Sequence, residues 1–209
     1  MDRFLLADDH AVVKTGISLL IKELYPSAVI DTAHDGDSAH SKIVKNDYDL
    51  VMLDVHMPNT DSLALVDTIL AIKLKLKILI FTMASENIFA KRFLKLGVTG
   101  FLSKDSSDEE IKRAITKVSL GRKYISEGLF SDLTDDSLRS QSDNPFEDLS
   151  DRELEIVTHL IKGKSVGEIC DILSIQNSTV STHKARAFEK LKVKNIIELR
   201  EMARIYQLI

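Results

Sequence analysis

Asp49-Leu50-Val51-Met52-Leu53-Asp54-Val55-His56-Met57-Pro58 is the stretch that decides how this chain is read. Its four consecutive apolar residues are too few for a helix and lie between polar ones, the pattern of a strand buried on both faces of a parallel sheet. Strands of that kind present their ligand groups at the carboxyl end, where Asp54 stands. Pro58 fixes its own φ and pushes Met57 out of the helical region, so regular structure stops there. Taken alone, the stretch fits Asp54 as a turn cap as well as it fits Asp54 as a functional carboxylate.

Working outward, the same alternation of strand and helix repeats. Phe4-Leu5-Leu6-Ala7 is a second short apolar run, ending directly in Asp8-Asp9-His10. A helical face of Val12, Val13, Ile17, Leu20, Ile21 and Leu24 follows, closed by Tyr25-Pro26. Val29 to Ala33 reads as a strand and Asp37 to Lys45 as a helix; Asp61 to about Lys73 is the next helix, leading to Ile78-Leu79-Ile80-Phe81 and Thr82. Lys73-Leu74-Lys75-Leu76-Lys77 has the period of a strand but the position of a connection. Ser85 to Leu96 is amphipathic and stops at Gly97, Gly100-Phe101-Leu102 is a brief strand ending at Ser103-Lys104, and Ser107 with Glu110 has the form of a capping box for a helix to Leu120. Five βα units predict a flavodoxin-like, doubly wound five-stranded parallel sheet, because right-handed crossovers must cover both faces.

In that topology strand ends converge, gathering Asp8, Asp9, Asp54, Thr82 and Lys104 in one crevice, and the convergence favours a functional Asp54 over a mere cap. Two carboxylates about 4 Å apart repel by roughly 4 kcal/mol at an effective dielectric of 20, so the acids need a cation among them. Lys104 supplies one. Few, uncaged oxygen ligands suit Mg2+, which keeps waters and favours sites that a phosphoryl oxygen completes. Such a site makes Asp54 a nucleophile facing an electrostatic clamp, with the Thr82 hydroxyl as a donor.

Composition sets the frame. A chain of 209 residues with 44% hydrophobic and 29% charged content suits one large or two modest soluble domains, and a formal charge of −4 decides nothing about nucleic acid, where local clustering matters. One cysteine excludes an internal disulfide framework, and Cys170 reads as an inert core thiol. No amino-terminal signal pattern and no long apolar run is present, so a cytoplasmic protein with no membrane partner is expected. The six histidines have no zinc-site spacing.

The expected boundaries are residues 1–124 for the first domain, an acidic flexible linker at 125–146, and a second domain at 147–209. Between 126 and 146, Glu127, Asp132, Asp135, Asp136 and Asp143 face only Arg139, and serines fill much of the rest, a composition too polar to order itself, apart from a possible helical turn around Leu129 to Leu133. Beyond it four helix starts are legible: Ser150 with Glu153, flanked by Leu149 and Leu154; Ser165 with Glu168; Asn177 or Ser178; and Asn195 with Glu198. Four short helices with a tight turn between the second and third suggest a helix-turn-helix. In the third, Val180, Ala187 and Leu191 form a buried stripe opposite Ser178, Ser181, Thr182 and Ala185. Lys184, Arg186, Lys190, Lys192 and Lys194 oppose a single acid, Glu189, a charge pattern that suits DNA phosphates.

Asp8-Asp9-His10, Val13-Lys14-Thr15-Gly16-Ile17 with Leu20, Asp54 with Met57-Pro58, Thr82 and Lys104 together resemble the receiver domain of two-component response regulators, over residues 1 to 124. That resemblance implies that Asp54 accepts a phosphoryl group from a phosphohistidine on a sensor histidine kinase. It implies Mg2+ held by Asp9, Asp54 and the backbone carbonyl of His56, with Asp8 acting largely through water, and Phe101 as a switch aromatic that turns inward as Thr82 moves. Leu149-Ser150-x-Arg152-Glu153, Gly163-x-Ser165-x-x-Glu168-Ile169, Thr179-Val180-x-x-His183 and Lys190-Leu191 resemble the LuxR-type helix-turn-helix, and with a receiver in front the whole looks like the NarL/FixJ subfamily. This second resemblance implies base reading by Ser181, Thr182 and Ala185 on double-stranded DNA, with Lys184, Arg186 and Lys190 supplying positive charge, and a last helix that pairs two domains into a homodimer.

The chain departs from the family's pattern in several places. Asn59 and Ser62 stand where glycines are usual, Met83 stands where a smaller residue is common and is expected to slow small phosphodonors, and Gly167 and Gln176 weaken the helix-turn-helix. The expected function is a non-enzymatic transcription regulator switched at Asp54. Its rivals are a phosphorylation-independent DNA-binding regulator whose receiver only dimerises, and an aspartyl phosphatase or phosphotransferase, against which the missing Asp-x-Asp spacing argues.

Overall fold

Residues 2–84, 86–126, 144–173, 175–206 and 208 are described by a computed structural model, in which the chain divides into two compact units, Met1–Phe130 and Ser131–Ile209. Most of the expected linker, including the helical turn expected around Leu129 to Leu133, lies outside the described residues. Among the described residues no helix is long and apolar enough to cross a membrane.

In the first unit the strands are β1 (Arg3–Ala7), β2 (Val29–Ala33), β3 (Leu50–Leu53), β4 (Ile78–Thr82) and β5 (Gly100–Ser103), all parallel in the order β2-β1-β3-β4-β5. The helices between and after them are α1 (Ala11–Leu24), α2 (Gly36–Lys45), α3 (Ser62–Ile72), α4 (Glu86–Leu96) and α5 (Asp108–Ser119). β3 and β4 are buried along their whole length, as the apolar runs require, and edge strand β2 is largely exposed. On one side of the sheet Phe4, Leu6, Met52, Leu79, Phe81 and Leu102 pack with Ile17, Ile21, Ile111, Ile115 and Val118 of α1 and α5. Each such side chain contributes about 1.5–3 kcal/mol by leaving water. Register then fixes the site: Ala7 pairs with both Ala33 and Leu53, so Asp8 and Asp54 are next in line on adjacent strands, and the Asp54 N–H donates to the Ala7 carbonyl at 2.8 Å.

Several helix starts sit beside those expected. Asp35 caps α2, accepting from the Ser38 N–H at 2.8 Å, and Asp61 caps α3 from outside it, accepting from the Ala64 N–H at 2.9 Å. Ser107 caps α5, but Glu110 does not reach back to complete a box. Its carboxylate instead accepts the Tyr124 hydroxyl at 3.1 Å. Residues 73–77 form the connection, with Leu74 84% exposed, because β4 begins only at Ile78. Helix α4 and the helix Asp151–Ile161 of the second unit are followed by Gly97 and Gly163, both at positive φ.

The second unit opens with a 3-10 turn, Pro145–Asp148, and continues with α6 (Asp151–Ile161), α7 (Val166–Leu173), α8 (Asn177–Leu191) and α9 (Ile196–Ile205). The Ser150–Glu153 capping box forms, and Leu149 and Leu154 are both buried beside it. Asn177 is the first residue of α8 rather than its cap; Gln176 holds the cap position without a side-chain bond. Cys170 is half-buried on α7, less enclosed than a core thiol would be.

Edge strand β5 is covered by a short parallel bridge between Gly100 and Tyr124. A Cβ on Gly100 would stand 2.9 Å from the Tyr124 carbonyl oxygen and 3.0 Å from a Leu79 methyl. Gly100→Ala is therefore expected to destabilise the first unit by about 1–3 kcal/mol, the usual cost of overpacking. Gly16→Ala, where nothing lies within 4 Å, should stabilise α1 by roughly 0.5–1 kcal/mol. Urea denaturation of both variants checks the pair, and equal midpoints would refute the steric argument.

Candidate functional site

The acidic pocket is assembled from four strand ends. Asp8 follows β1, Asp54 follows β3, Thr82 ends β4, and Lys104 follows β5, its N–H donating to the Thr82 carbonyl at 3.0 Å. The Lys104 ammonium lies between two carboxylates, 2.6 Å from Asp8 Oδ2 and 2.7 Å from Asp54 Oδ2. All three groups are buried or nearly so: Asp8 and Asp54 are 5% and 3% exposed, and the Lys104 side chain 9%. Asp9 is more exposed and holds His10, whose Nδ1 is 2.8 Å from Asp9 Oδ1 and 3.2 Å from Asp8 Oδ1.

Opposing forces set the charge states. Burial by itself pushes the Asp54 carboxyl up, yet the hydrogen bond and charge of Lys104, the Thr82 hydroxyl and the His56 N–H together hold it below the ordinary 3.8. Lys104 is likewise penalised by burial and held above its ordinary 10.5 by Asp54 and Asp8. At neutral pH the pocket thus holds an ionised carboxylate and an ionised ammonium, the state that a nucleophile with an electrostatic clamp requires.

Asp8, Asp9, His10 and Asp54 each bring a ligand atom within 4.8 Å of the others. Three carboxylates in that space form a hard oxygen donor set, which fits Mg2+. His56 is folded beside Asp54, its N–H donating to Asp54 Oδ1 at 3.2 Å. His10 is the member of the cluster that sequence reading did not single out as a ligand; its adjacency to Asp8-Asp9 was the available signal.

The loop after β3 explains how the chain does without glycines there. Asn59 takes the left-handed conformation itself, at φ 51°, as asparagine can. The buried Ser62 hydroxyl donates to the Val55 carbonyl at 2.6 Å and closes the loop. Thr60 joins that loop to α2, its hydroxyl donating to the Pro58 carbonyl at 2.8 Å and accepting from the Gly36 N–H at 2.7 Å. Phe101 and Thr82 are fully buried, the Thr82 hydroxyl accepting from the Ala84 N–H at 3.2 Å, whereas Met83 is 61% exposed.

The second unit carries the basic surface on α8. Val180, Ala187 and Leu191 are buried, while Ser178, Ser181, Thr182, Ala185 and Arg186 are exposed together. The Thr182 hydroxyl donates back to the Ser178 carbonyl and the Ser181 hydroxyl to Asn177 Oδ1, bonds that a base edge could replace. Lys184 lies along the helix, its ammonium 5.4 Å from the Phe188 ring centre. Lys190 differs from the rest of the basic set. Its ammonium is 2.7 Å from the carboxylate of Glu153, a residue only 3% exposed, and 3.1 Å from the Asp148 carbonyl, so it fastens α8 to the start of α6. A reading of the sequence as a basic helix missed this, because Glu153 was legible only as a helix cap.

Residues 4–116 match the family model described as response regulator receiver domain, and residues 147–203 match that of bacterial regulatory proteins, luxR family. The chain is 32% identical over 203 residues to the response regulator GacA of Pseudomonas protegens, covering 97% of this chain and 95% of that protein. It is 33% identical over 209 residues to the oxygen regulatory protein NreC of Staphylococcus epidermidis, covering 96% of each. Among solved structures, RcsB of Salmonella enterica serovar Typhimurium, bound to promoter rprA in the presence of the phosphomimetic BeF3−, aligns over 96% of this chain and 97% of its own with a TM-score of 0.74; at 24% identity this likeness speaks to fold alone.

The charge balance at Asp54 is open to measurement. Its depressed pKa means that the stability the carboxylate contributes is present above about pH 3.8, its unfolded value, and is lost as pH falls through the lower folded value. Lys104→Met removes the largest influences that lower the pKa and leaves burial opposed only by Thr82 and the His56 N–H, so the Asp54 carboxyl is expected to titrate higher in that variant than in the parent. Carboxyl 13C chemical shifts followed against pH would read both midpoints, and an unmoved midpoint would exclude Lys104 as the cause.

Proposed function

Because the chain belongs to the response regulators that join a receiver domain to a LuxR-type DNA-binding domain, we propose that Asp54 accepts a phosphoryl group from a phosphohistidine on a partner sensor histidine kinase and that this state controls DNA binding. We assign residues 1–124 to the receiver, 125–146 to the connector and 147–209 to the DNA-binding domain, in a cytoplasmic homodimeric regulator without catalytic turnover of its own. One observation carries the reading: a buried ammonium bridges Asp8 and Asp54 at 2.6 and 2.7 Å, with Thr82 ending the neighbouring strand β4.

The mechanism follows from these groups. An Asp54 carboxylate oxygen attacks phosphorus, the phosphorus–nitrogen bond breaks with its electron pair passing to the kinase imidazole, and an acyl phosphate is left on Asp54. Asp9, Asp54 and the backbone carbonyl of His56, with Asp8 largely through water, would hold Mg2+, whose charge offsets the phosphoryl oxygens. Lys104 transfers its pairing from the carboxylate to a phosphoryl oxygen, and Thr82 donates its hydroxyl to another. The Phe101 ring packs behind Thr82, so that a local charge event biases a packed element. Moving such an element from 1:99 to 99:1 needs roughly 5.5 kcal/mol, to which new phosphoryl bonds and a dimer interface both contribute.

In the DNA-binding domain α8 enters the major groove, with Ser178, Ser181, Thr182 and Ala185 at base edges and Lys184 and Arg186 toward phosphates. Lys190 holds α8 in place from within the domain. Paired domains then meet half-sites about one helical turn apart.

A second reading has an observation of its own. Phe101 is fully buried on β5 and the Thr82 hydroxyl accepts from the Ala84 N–H at 3.2 Å, a packed arrangement that a receiver serving only for dimerisation would also have. Incubation with acetyl phosphate and Mg2+ is expected to add one phosphoryl group by mass spectrometry to the parent and none to Asp54→Asn, and to raise DNA affinity only in the parent. DNA affinity unchanged by beryllofluoride would favour the second reading. Met83→Ala should be phosphorylated by acetyl phosphate faster than the parent, by a factor of a few, since Met83 stands exposed beside Thr82; equal rates would show that its bulk does not screen the pocket.

A further inference from the structure

The receiver reading leaves open how the pocket reaches the connector, and five residues at the end of the first unit address it. We propose that residues 122–126, paired through Tyr124 to the outer edge of β5 on both sides of Gly100, form a strap that carries the state of the acidic pocket into the connector. This rests on the phosphorylation of Asp54 proposed above.

β5 is the last strand of the sheet, and its outer edge would otherwise present unpaired backbone groups. Tyr124 covers it: the Phe101 N–H donates to the Tyr124 carbonyl at 2.9 Å, and the Tyr124 N–H donates to the Thr99 carbonyl at 3.1 Å. Gly100 makes that approach possible, since the Tyr124 carbonyl lies where a Cβ contact would be too short. The residue whose amide is bonded to the strap is thus Phe101, the switch aromatic of the receiver reading. Three residues further along the chain is Lys104, whose ammonium lies between Asp8 and Asp54. On the inner edge, β5 pairs with β4 so that Ser103 lies opposite Thr82. One four-residue strand therefore touches the pocket through one edge and its carboxyl end, and the strap through the other edge.

The strap has two more attachments. The Tyr124 ring is buried against α5, its hydroxyl donates to Glu110 at 3.1 Å, and the Lys117 ammonium stands 5.5 Å from the ring centre. Burial, then the bond to Glu110, pushes the Tyr124 phenol up to about 12, so it stays a donor throughout the physiological range. At the far end the Ser126 N–H reaches Glu86 at the start of α4 at 3.4 Å, the helix that follows the Thr82 loop. The strap is therefore tied to α4, β5 and α5, and residue 127 continues directly from it. Two hydrogen bonds form the β bridge, a shorter pairing than the ladders between the strands, so it is expected to open at lower cost than they do.

Here the strap is closed with Phe101 buried and Lys104 between Asp8 and Asp54. A ligand that favours that arrangement should slow the opening of the strap as well. The test is hydrogen–deuterium exchange on the full-length chain with and without beryllofluoride and Mg2+. Exchange at the Phe101 and Tyr124 amides is expected to slow about tenfold in the parent and not in Asp54→Asn. Unchanged or faster exchange at Tyr124, with slowing confined to the loops from Thr82 to Lys104, would overturn the strap while leaving phosphorylation intact; no change in any of these amides would overturn both. Tyr124→Phe, which loses only the bond to Glu110, should keep its melting temperature and bind beryllofluoride as the parent does, yet lose at least half of the ligand-induced gain in DNA affinity. Tyr124→Ala should lose nearly all of it, and a full gain in both variants would overturn the proposal.

Discussion

A single ammonium between two buried carboxylates is the constraint around which the first unit is organised. Asp8 and Asp54 sit side by side because Ala7 pairs with Leu53 in the sheet register, and nothing in a parallel sheet allows one to move away without the other. Lys104 relieves their repulsion, and burial makes every term larger than it would be in water. The same balance makes the pocket responsive. A group that brings negative charge to Asp54 must compete with the carboxylates for Lys104, and the strand that ends just before Lys104 carries Phe101 and meets Tyr124 at its edge.

The second unit uses a buried charge for a different purpose. Glu153 closes the amino end of α6 by accepting the Ser150 N–H at 2.8 Å, and it binds Lys190 of α8 at 2.7 Å. Burial pushes its carboxyl up, but the bonds to Lys190 and Ser150 bring it below its ordinary value, so it is ionised wherever the domain is used. One carboxylate therefore fixes both the start of α6 and the carboxyl end of α8. In the pocket the charge pair is poised to be exchanged; here it is a fastening.

The chemistry of the acidic pocket was legible in residue types at strand ends, because a doubly wound sheet leaves those ends only one place to meet. Local hydrogen bonding was less legible. Glu110 looked like half of a capping box and became the partner of Tyr124, fourteen residues away, since a buried phenol competes well for a carboxylate near it. Asn59 and Ser62 looked like losses where glycines are usual, yet one adopts the left-handed turn and the other bonds across the loop to Val55. Lys190 counted as surface charge until its partner, 37 residues earlier in the chain, was in view.

By itself the sequence determined what depends on period and residue type: five strands alternating with helices, a carboxylate or hydroxyl or ammonium at the end of particular strands, four helices in the second unit, and a polar stripe opposite Val180, Ala187 and Leu191. Only the tertiary structure decided which ionisable groups face each other, because that depends on register and on side chains meeting across distant segments. It put Lys104 on Asp8 as well as Asp54, placed His10 among the acids, turned Lys190 inward, and laid Tyr124 along the edge of β5. Local pattern specifies elements, whereas the pairing of charges and the covering of an edge strand are settled when those elements pack.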